Sequence, residues 1–343
     1  MKKSYKRGQE IRKFILKNIS TNPQHIVNQT SEYFNISRQA VNRYIQDLLK
    51  EGQISATGNT RQRIYSLKVL HKSNFSIPLI DLKEDVLWRA KIAELFQNFP
   101  SNVINIWHYS FTEMVNNAID HSAGTKIVIS IEMNSFLAKI SIHDNGVGIF
   151  KKIKKECNLE DERHAVLELA KGKLTTDSEN HTGEGVFFTS RMLDDFAILS
   201  GEVFFSHKLG ADEDWIMERE TPDTGTSVFM SLANQSTRTD KDVFDRFASE
   251  EEDYGFTKTI VPVRLVRHGA EKLISRSQAK RLLGRIDRFK TVILDFQEID
   301  SIGRAFADEI FRVFEKNHPN ILLIPINTIE NVKKMITAIK TEI

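Results

Sequence analysis

The chain has 343 residues, of which 40% are hydrophobic and 27% are charged. This length predicts two or three domains, and the composition excludes a wholly disordered protein. A single cysteine, Cys157, excludes an internal disulfide, and no Cys/His cluster indicates zinc. The sequence also lacks the apolar core of a signal peptide and the run of roughly 18 apolar residues that a membrane helix needs. We therefore expect a cytoplasmic protein with no membrane segment.

The formal net charge of +2 conceals an asymmetry along the chain. Residues 1–70 contain 13 Lys and Arg against four Asp and Glu, which gives +9, so the remaining 273 residues carry −7. A small basic segment joined to an acidic remainder predicts that the first 70 residues face a polyanion.

The pattern of residues 1–70 predicts three short helices followed by two strands. Apolar residues recur at helical spacing over 11–19, and Pro23 opens a second helix. Ser37 is a suitable N-cap for a third helix, which Gly52 ends. Residues 54–67 alternate around a Gly-Asn turn, as in a β-hairpin. This order of elements resembles a winged helix-turn-helix domain.

In a winged helix-turn-helix domain, the third helix enters the major groove of DNA through its amino-terminal turns. The resemblance therefore implies duplex DNA as a partner of residues 1–70. The implied base-edge contacts are Arg38, Gln39, Asn42 and Arg43, and the implied phosphate contacts on the wing are Arg61 and Arg63. The alternative is a protein-docking domain whose Arg and Lys side chains are merely solvated.

Four motifs stand in order between residues 100 and 233. Their key residues are Glu113, Asn117, Asp120 and His121 on one helix stripe, then Asp144-x-Gly146-x-Gly148 after a strand, Gly183-x-Gly185 before an apolar helix, and Gly225-Thr226 before another strand. Polar residues spaced along an apolar helix are costly to bury without a partner, which Mg²⁺ and a triphosphate would supply. Glycines let the backbone approach a flat ligand, and a helix amino terminus favours phosphate.

The order and spacing of these motifs resemble those of the GHKL ATPases, the class that includes gyrase, histidine kinases and anti-sigma-factor kinases. The resemblance implies an α/β sandwich over residues 71–235, including a connector, with ATP and Mg²⁺ as ligands. It implies that Glu113 is catalytic and orients or deprotonates the nucleophile. It also implies that Asn117 ligates Mg²⁺ and that Asp144 accepts a hydrogen bond from the adenine amino group.

The same resemblance implies further nucleotide contacts. Asp120 and His121 extend the helix stripe, Gly146 and Gly148 make room for the base, Gly183 and Gly185 offer N–H groups to the phosphates, Thr226 contacts the adenine side, and Lys173, Thr175 and Thr176 reach the terminal phosphates from a lid. The lysines at 151, 152, 154 and 155 are interpreted as a solvated helix face.

Within the GHKL class, the chain is most similar to anti-sigma-factor serine kinases. They share Glu-x₃-Asn-Ala-x₂-His and a lid resembling Lys173-Leu-Thr-Thr-Asp. A sensor histidine kinase is disfavoured, because it needs a long helical hairpin ahead of the ATP domain. Only about thirty residues separate the wing from that domain.

The last part of the chain, residues 236–343, alternates predicted strands with helices. Strands are predicted at 261–266 and 292–296, and helices at 277–286, 304–315 and 331–339. Segments 275–283, 292–296 and 305–311 resemble the STAS-like module called DUF4325. STAS domains are partners of anti-sigma-factor kinases and in some cases carry a phosphoacceptor serine. Here that position falls at Arg304 or Ala305, and the nearby Ser301 is interpreted as an ordinary loop serine.

The predicted fold class is therefore multidomain α+β, with a winged helix-turn-helix, a GHKL α/β sandwich and a small STAS-like α/β domain. Three functions stay open. The first is a nucleotide-controlled DNA-binding regulator. The second is a serine/threonine protein kinase that acts on a partner or on its own tail, and the third is a stress or phage-defence sensor. A protein partner of the STAS-like domain and a homodimer are also open.

Overall fold

A computed structural model describes residues 2–59, 62–174, 183–208, 213–248, 255–267 and 271–341, with the side chains of 2–5 and 213–223 left undescribed. The protein has a mixed α/β architecture with several sheets. Contacts group the chain into two compact units, each of which is discontinuous in sequence. The first comprises residues 1–76, 128–141 and 231–236, and the second comprises 77–127, 142–230 and 237–343.

Residues 2–67 form three helices and a two-stranded antiparallel sheet, namely α1 (Lys2–Asn18), α2 (Ile26–Phe34), α3 (Arg38–Lys50), β1 (Ile54–Thr57) and β2 (Ile64–Leu67). Ser37 caps α3, since its Oγ accepts a hydrogen bond from the N–H of Ala40 at 3.2 Å. The apolar faces of the three helices form one core around Ile15, Ile26 and Ile45, all fully buried. Phe136 packs against this core within the same unit.

A five-stranded sheet has the order β3-β4-β5-β7-β6. Its strands are β3 (Val69–Pro78), β4 (Lys126–Asn134), β5 (Leu137–Asp144), β6 (Asp195–Lys208) and β7 (Glu213–Ala233). Strands β3, β4, β5 and β7 each contribute residues to both units. Burial along β5 alternates, with Ala138, Ile140 and Ile142 on the buried face. This central strand ends at Asp144.

The helices that accompany this sheet in the second unit are α4 (Glu84–Leu87), α5 (Ala93–Phe96), α6 (Ser101–His121), α7 (Ile149–Glu156), α8 (Glu162–Lys171), α9 (Gly185–Met192) and α10 (Asp240–Phe247). A π-helical turn, Trp88–Ile92, joins α4 to α5. The longest of them, α6, buries Ile106, Trp107 and Phe111 completely. Most of its polar side chains are on the less buried face, whereas Ser110 is buried. None of the helices that the structure describes is long and apolar enough to cross a bilayer.

The remaining part of the second unit contains a three-stranded parallel sheet of order β10-β9-β8, made of β8 (Lys258–Pro262), β9 (Thr291–Asp295) and β10 (Leu322–Ile326). Its helices are α11 (Arg276–Leu283), α12 (Arg304–Asp308), α13 (Glu315–Asn317) and α14 (Glu330–Lys340), and a π-helical segment, Glu309–Phe314, links α12 to α13. Parallel strands need such crossover helices because a tight turn can only join antiparallel strands.

Two elements of this sheet differ from the sequence prediction. The strand predicted at 261–266 ends at Pro262 and continues as a 3₁₀ turn, Val263–Val266. Proline has no N–H to extend a ladder, which explains the early end. Strand β10 was not predicted, because periodicity alone cannot assign a short apolar run to a strand.

Candidate functional site

A cavity of about 300 Å³ opens in the second unit between α6, α7, α9 and the strands β5 to β7. This is the lower end of the range of roughly 300–1,000 Å³ found for small-molecule sites. Its lining includes Glu113, Asn117, His121, Asp144, Lys152, Gly183, Glu184, Gly185 and Thr226, together with apolar side chains from the same elements. The lining combines an apolar wall with a few polar groups, as ligand pockets do.

Helix α6 supplies one polar wall of the cavity. Glu113, Asn117 and His121 recur every four residues and all reach the lining. Met114 and Ala118 fill the positions between them. The amide nitrogen of Asn117 lies 4.0 Å from the sulfur of Met114, a weak acceptor. The amide of Asn117 is therefore available to a ligand. Asp120, which was predicted on the same stripe, is exposed and does not line the cavity.

The carboxylate of Asp144 lies at the end of β5 and is only 5% exposed. Its Oδ1 accepts a hydrogen bond from the N–H of Gly146 at 2.8 Å. Burial raises the pKa of Asp144 above its ordinary value, although hydrogen bonds from Gly146 and Thr226 act in the opposite direction. The Oγ1 of Thr226 also accepts from the N–H of Ile149 at 3.0 Å, which ties the start of α7 to β7.

Three glycines allow close backbone contacts around Asp144. A β-carbon on Gly146 would lie 2.1 Å from the carbonyl oxygen of Ser122, and one on Gly225 would lie 1.9 Å from that of Asp144. Gly148 has φ +88° and packs against Ser200. Gly146 and Gly148 were predicted to make room for a base, yet neither lines the cavity. Both glycines allow neighbouring segments to approach closely beside Asp144.

The start of α9 contacts Glu113 at the cavity wall. A β-carbon on Gly185 would lie 2.0 Å from Glu113 Oε2, so the carboxylate rests directly against this glycine. Gly183 has φ +71°, and its carbonyl oxygen accepts from the N–H of Leu174 at 3.2 Å. Burial, reinforced by the charges of Glu113 and Glu184, raises the pKa of Tyr109, which keeps this phenol neutral.

Lys173, which was predicted to reach the terminal phosphates from a lid, lies beside Arg288 and Phe289. Its Nζ donates to the carbonyl oxygen of Arg288 at 3.1 Å and lies 5.1 Å from the ring centre of Phe289. Arg288 Nη1 in turn donates to the carbonyl oxygen of Lys173 at 2.5 Å. Lys173 therefore contacts the C-terminal part of the unit and does not line the cavity. The other predicted lid residues, Thr175 and Thr176, lie outside the described residues.

The sequence interpretation missed Lys152, which was assigned to a solvated face. Lys152 lines the cavity together with Ile149 and Ile153. These residues have the i, i+3, i+4 spacing of one helix face. In the sequence, Lys152 follows Ile149 by three residues and directly precedes Ile153. This spacing is the signal that distinguishes Lys152 from its lysine neighbours.

The residues predicted to contact DNA lie in the first unit. Arg38, Gln39, Asn42 and Arg43 are all exposed on α3, whose opposite face is buried. Arg63 is exposed and directly precedes β2. Its guanidinium group lies 5.7 Å from the ring centre of Tyr65. Arg61 falls outside the part of the chain that the structure describes.

The parallel strands and crossover helices of residues 258–340 include the segment that matches a known family. Residues 278–333 match DUF4325, a STAS-like domain of unknown function. The match runs from within α11 to the start of α14 and confirms the predicted resemblance of this part of the chain. No curated protein matches the chain. The STAS-like domain thus lies in the compact unit that contains the cavity.

Proposed function

We propose that the protein binds ATP with Mg²⁺ in the cavity beside Asp144, in the manner of a GHKL ATPase. The observation that carries this proposal is the composition of the cavity wall. Residues from four motifs that are far apart in the sequence line one cavity, namely Glu113, Asn117, His121, Asp144, Gly183, Gly185 and Thr226. Because these motifs are distant in the sequence, their presence in one cavity supports a shared ligand.

The chemistry of the wall fits this ligand. A buried carboxylate such as Asp144 can accept a hydrogen bond from the exocyclic amino group of adenine and disfavours guanine, which presents a carbonyl there. Asn117 offers an amide oxygen, a hard donor that suits Mg²⁺. The described residues contain no cluster of three or more His, Cys, Asp or Glu side chains that could hold a metal. This fits Mg²⁺, which commonly takes few protein ligands and completes its shell with phosphate and water.

Glu113 is the proposed catalytic residue. Mg²⁺ would supply neutralisation of the charge on the phosphates. The Glu113 carboxylate, held against Gly185 at the start of α9, would orient the attacking hydroxyl group or water and accept its proton. If the nucleophile is water, the activity is ATP hydrolysis. If it is a serine or threonine hydroxyl group, the protein is a kinase, which is the alternative function.

Calorimetry with Mg²⁺ and ATP tests the binding proposal. We expect the wild type to bind, and Asn117→Ala to lose Mg²⁺-dependent binding while it remains folded. Asn116→Ala is the matched control, because Asn116 is the same residue type on the same helix and does not line the cavity. Equal affinity of the wild type and Asn117→Ala would contradict the assignment of Asn117. Incubation with γ-labelled ATP then separates hydrolysis, which releases phosphate, from transfer, which labels protein.

We further propose that the nucleotide controls DNA binding by residues 1–70, acting as a winged helix-turn-helix domain. The observation that favours DNA binding by this segment is the concentration of charge, +9 over these residues, together with the exposure of Arg38, Asn42 and Arg43 on α3. On this proposal the protein is an ATP-binding regulator, and the STAS-like domain is its regulatory partner domain.

A further inference from the structure

Lys152 is the one lysine or arginine that lines the cavity among the residues described. Three carboxylates, Glu113, Asp144 and Glu184, line the same cavity. A triphosphate that enters this cavity therefore meets more negative than positive charge on the wall. In a partly buried site these interactions are stronger than in bulk water, so a single fixed cation has a large effect on the affinity for an anion.

The position of Lys152 is set by the start of α7. The N–H of Ile149 donates to Thr226 Oγ1, and Thr226 also hydrogen bonds Asp144. Lys152 follows Ile149 by about one helical turn, roughly 5 Å along the axis. Lys152 therefore belongs to the part of the cavity wall that α7 forms next to Thr226 and Asp144.

The neighbours of Lys152 on α7 face elsewhere. Lys151 and Lys155 are exposed, and Lys151 and Lys154 influence Glu162, which lies outside the cavity. Lys152 has a side chain that is 23% exposed, and its ion pair with Glu156 is long, at 3.9 Å. A pair of this length on a helix surface contributes little, so Glu156 does not hold the ammonium group firmly.

We propose that Lys152 binds the α- or β-phosphate of the nucleotide, next to the sugar, and thereby selects adenosine phosphates over adenosine. This inference rests on the proposed binding of ATP. Asp144 positions the base at one end, and Lys152 contacts the first phosphates beyond it. The ammonium group of Lys152 offsets the negative charge of the three lining carboxylates beside the first phosphates of the ligand.

Calorimetry of adenosine, AMP, ADP and ATP tests this inference with Lys152→Gln. We expect affinity for ADP and ATP to fall about ten- to a hundredfold, as for a lost hydrogen bond to a charged group, and affinity for adenosine to be unchanged. Lys152→Arg should retain most of the affinity. Lys155→Gln is the control, because it removes the same charge from an exposed position on the same helix.

Three results would overturn the inference. The first is unchanged ADP affinity of a folded Lys152→Gln protein. The second is an equal loss for adenosine, which would make Lys152 a part of the base pocket or of the cavity wall. The third is a loss confined to ATP, which would place Lys152 at the terminal phosphate. Failure of the proposed function is distinct, because the wild type would then bind none of the four ligands.

Discussion

The Glu113 carboxylate occupies the space beside Gly185 in which a β-carbon would stand, since that carbon would lie 2.0 Å from Glu113 Oε2. The two residues belong to different helices, α6 and α9, and both line the cavity. The lack of a side chain at Gly185 therefore leaves the space that the carboxylate needs.

We expect Gly185→Ala to fold and to lose catalytic turnover. The new methyl group meets the far end of a flexible side chain, so the Glu113 carboxylate can move aside at little cost in stability. Glu113→Gln should lower turnover by about 10²–10⁴-fold while it retains ATP binding. Single-turnover assays and calorimetry measure both. Wild-type turnover in Glu113→Gln would remove this residue from the mechanism.

Gly225→Ala is the contrasting glycine variant. Its β-carbon would lie 1.9 Å from the carbonyl oxygen of Asp144, which is backbone and cannot move aside, and the residue has φ +80°. We therefore expect Gly225→Ala, unlike Gly185→Ala, to lower the unfolding midpoint in urea markedly. Equal urea midpoints for the two variants would contradict this expectation, because the protein would then accommodate the β-carbon beside Asp144 without loss of stability.

The pKa of Asp144 predicts how nucleotide affinity depends on pH. Burial raises this pKa, so the carboxylate becomes protonated at a higher pH than an ordinary aspartate does. Protonation removes the acceptor for adenine. We therefore expect the ATP affinity of the wild type to fall on acidification at a pH above that at which ordinary carboxylates titrate. Asp144→Asn should bind ATP weakly, and its affinity should lack this fall. Calorimetry across pH measures this, and equal binding of GTP and ATP would contradict the role of Asp144.

A buried ion pair lies within α8, and its lysine also bonds to the C-terminal part of the second unit. Lys171 Nζ lies 2.7 Å from Glu168 Oε1 and donates to the carbonyl oxygen of Gly284 at 2.8 Å, and both side chains are at most 3% exposed. We expect Lys171→Met to lower the free energy of unfolding by about 3–5 kcal/mol, because it leaves a buried carboxylate without its paired lysine. Urea denaturation measures the change.

The control for this pair is Lys241→Met. Lys241 lies 2.7 Å from Asp245 in a pair of equal length, but both side chains are exposed, so we expect a change of about 0–1 kcal/mol. The ion pair between Lys171 and Glu168 should also make the free energy of unfolding depend on pH in the acid range. Burial alone would raise the pKa of Glu168, yet His164 and Lys171 outweigh it and hold the pKa low. The stabilisation is therefore present above the unfolded pKa and lost as pH falls through the folded one. Equal losses in both variants would refute the assignment.

The DNA proposal predicts two classes of variant. Arg63→Ala should flatten the log–log slope of affinity against salt by about one unit and weaken all sequences alike, because a phosphate contact is lost. Asn42→Ala or Arg43→Ala should cost about 1–3 kcal/mol on the preferred sequence only. Fluorescence anisotropy with duplexes over a range of salt measures both effects. Binding without salt dependence, or capture of a protein in place of DNA, would favour a docking domain.

Local patterns in the sequence determined much of the scaffold. The N-cap at Ser37, the hairpin of β1 and β2, and the polar stripe of α6 follow from spacings of a few residues, which periodicity and capping chemistry encode directly. The charge of the first 70 residues is likewise a property of composition. The match over residues 278–333 agrees with a resemblance read from the sequence.

Only the tertiary structure decided which side chains reach the cavity. Lys173 turns to Arg288, which is 115 positions away in sequence, and Lys152 turns inward although it stands in a run of similar lysines. Gly225 is required by the carbonyl group of Asp144. Each of these outcomes depends on contacts between segments that are distant in sequence, whereas sequence patterns report the preferences of neighbouring residues.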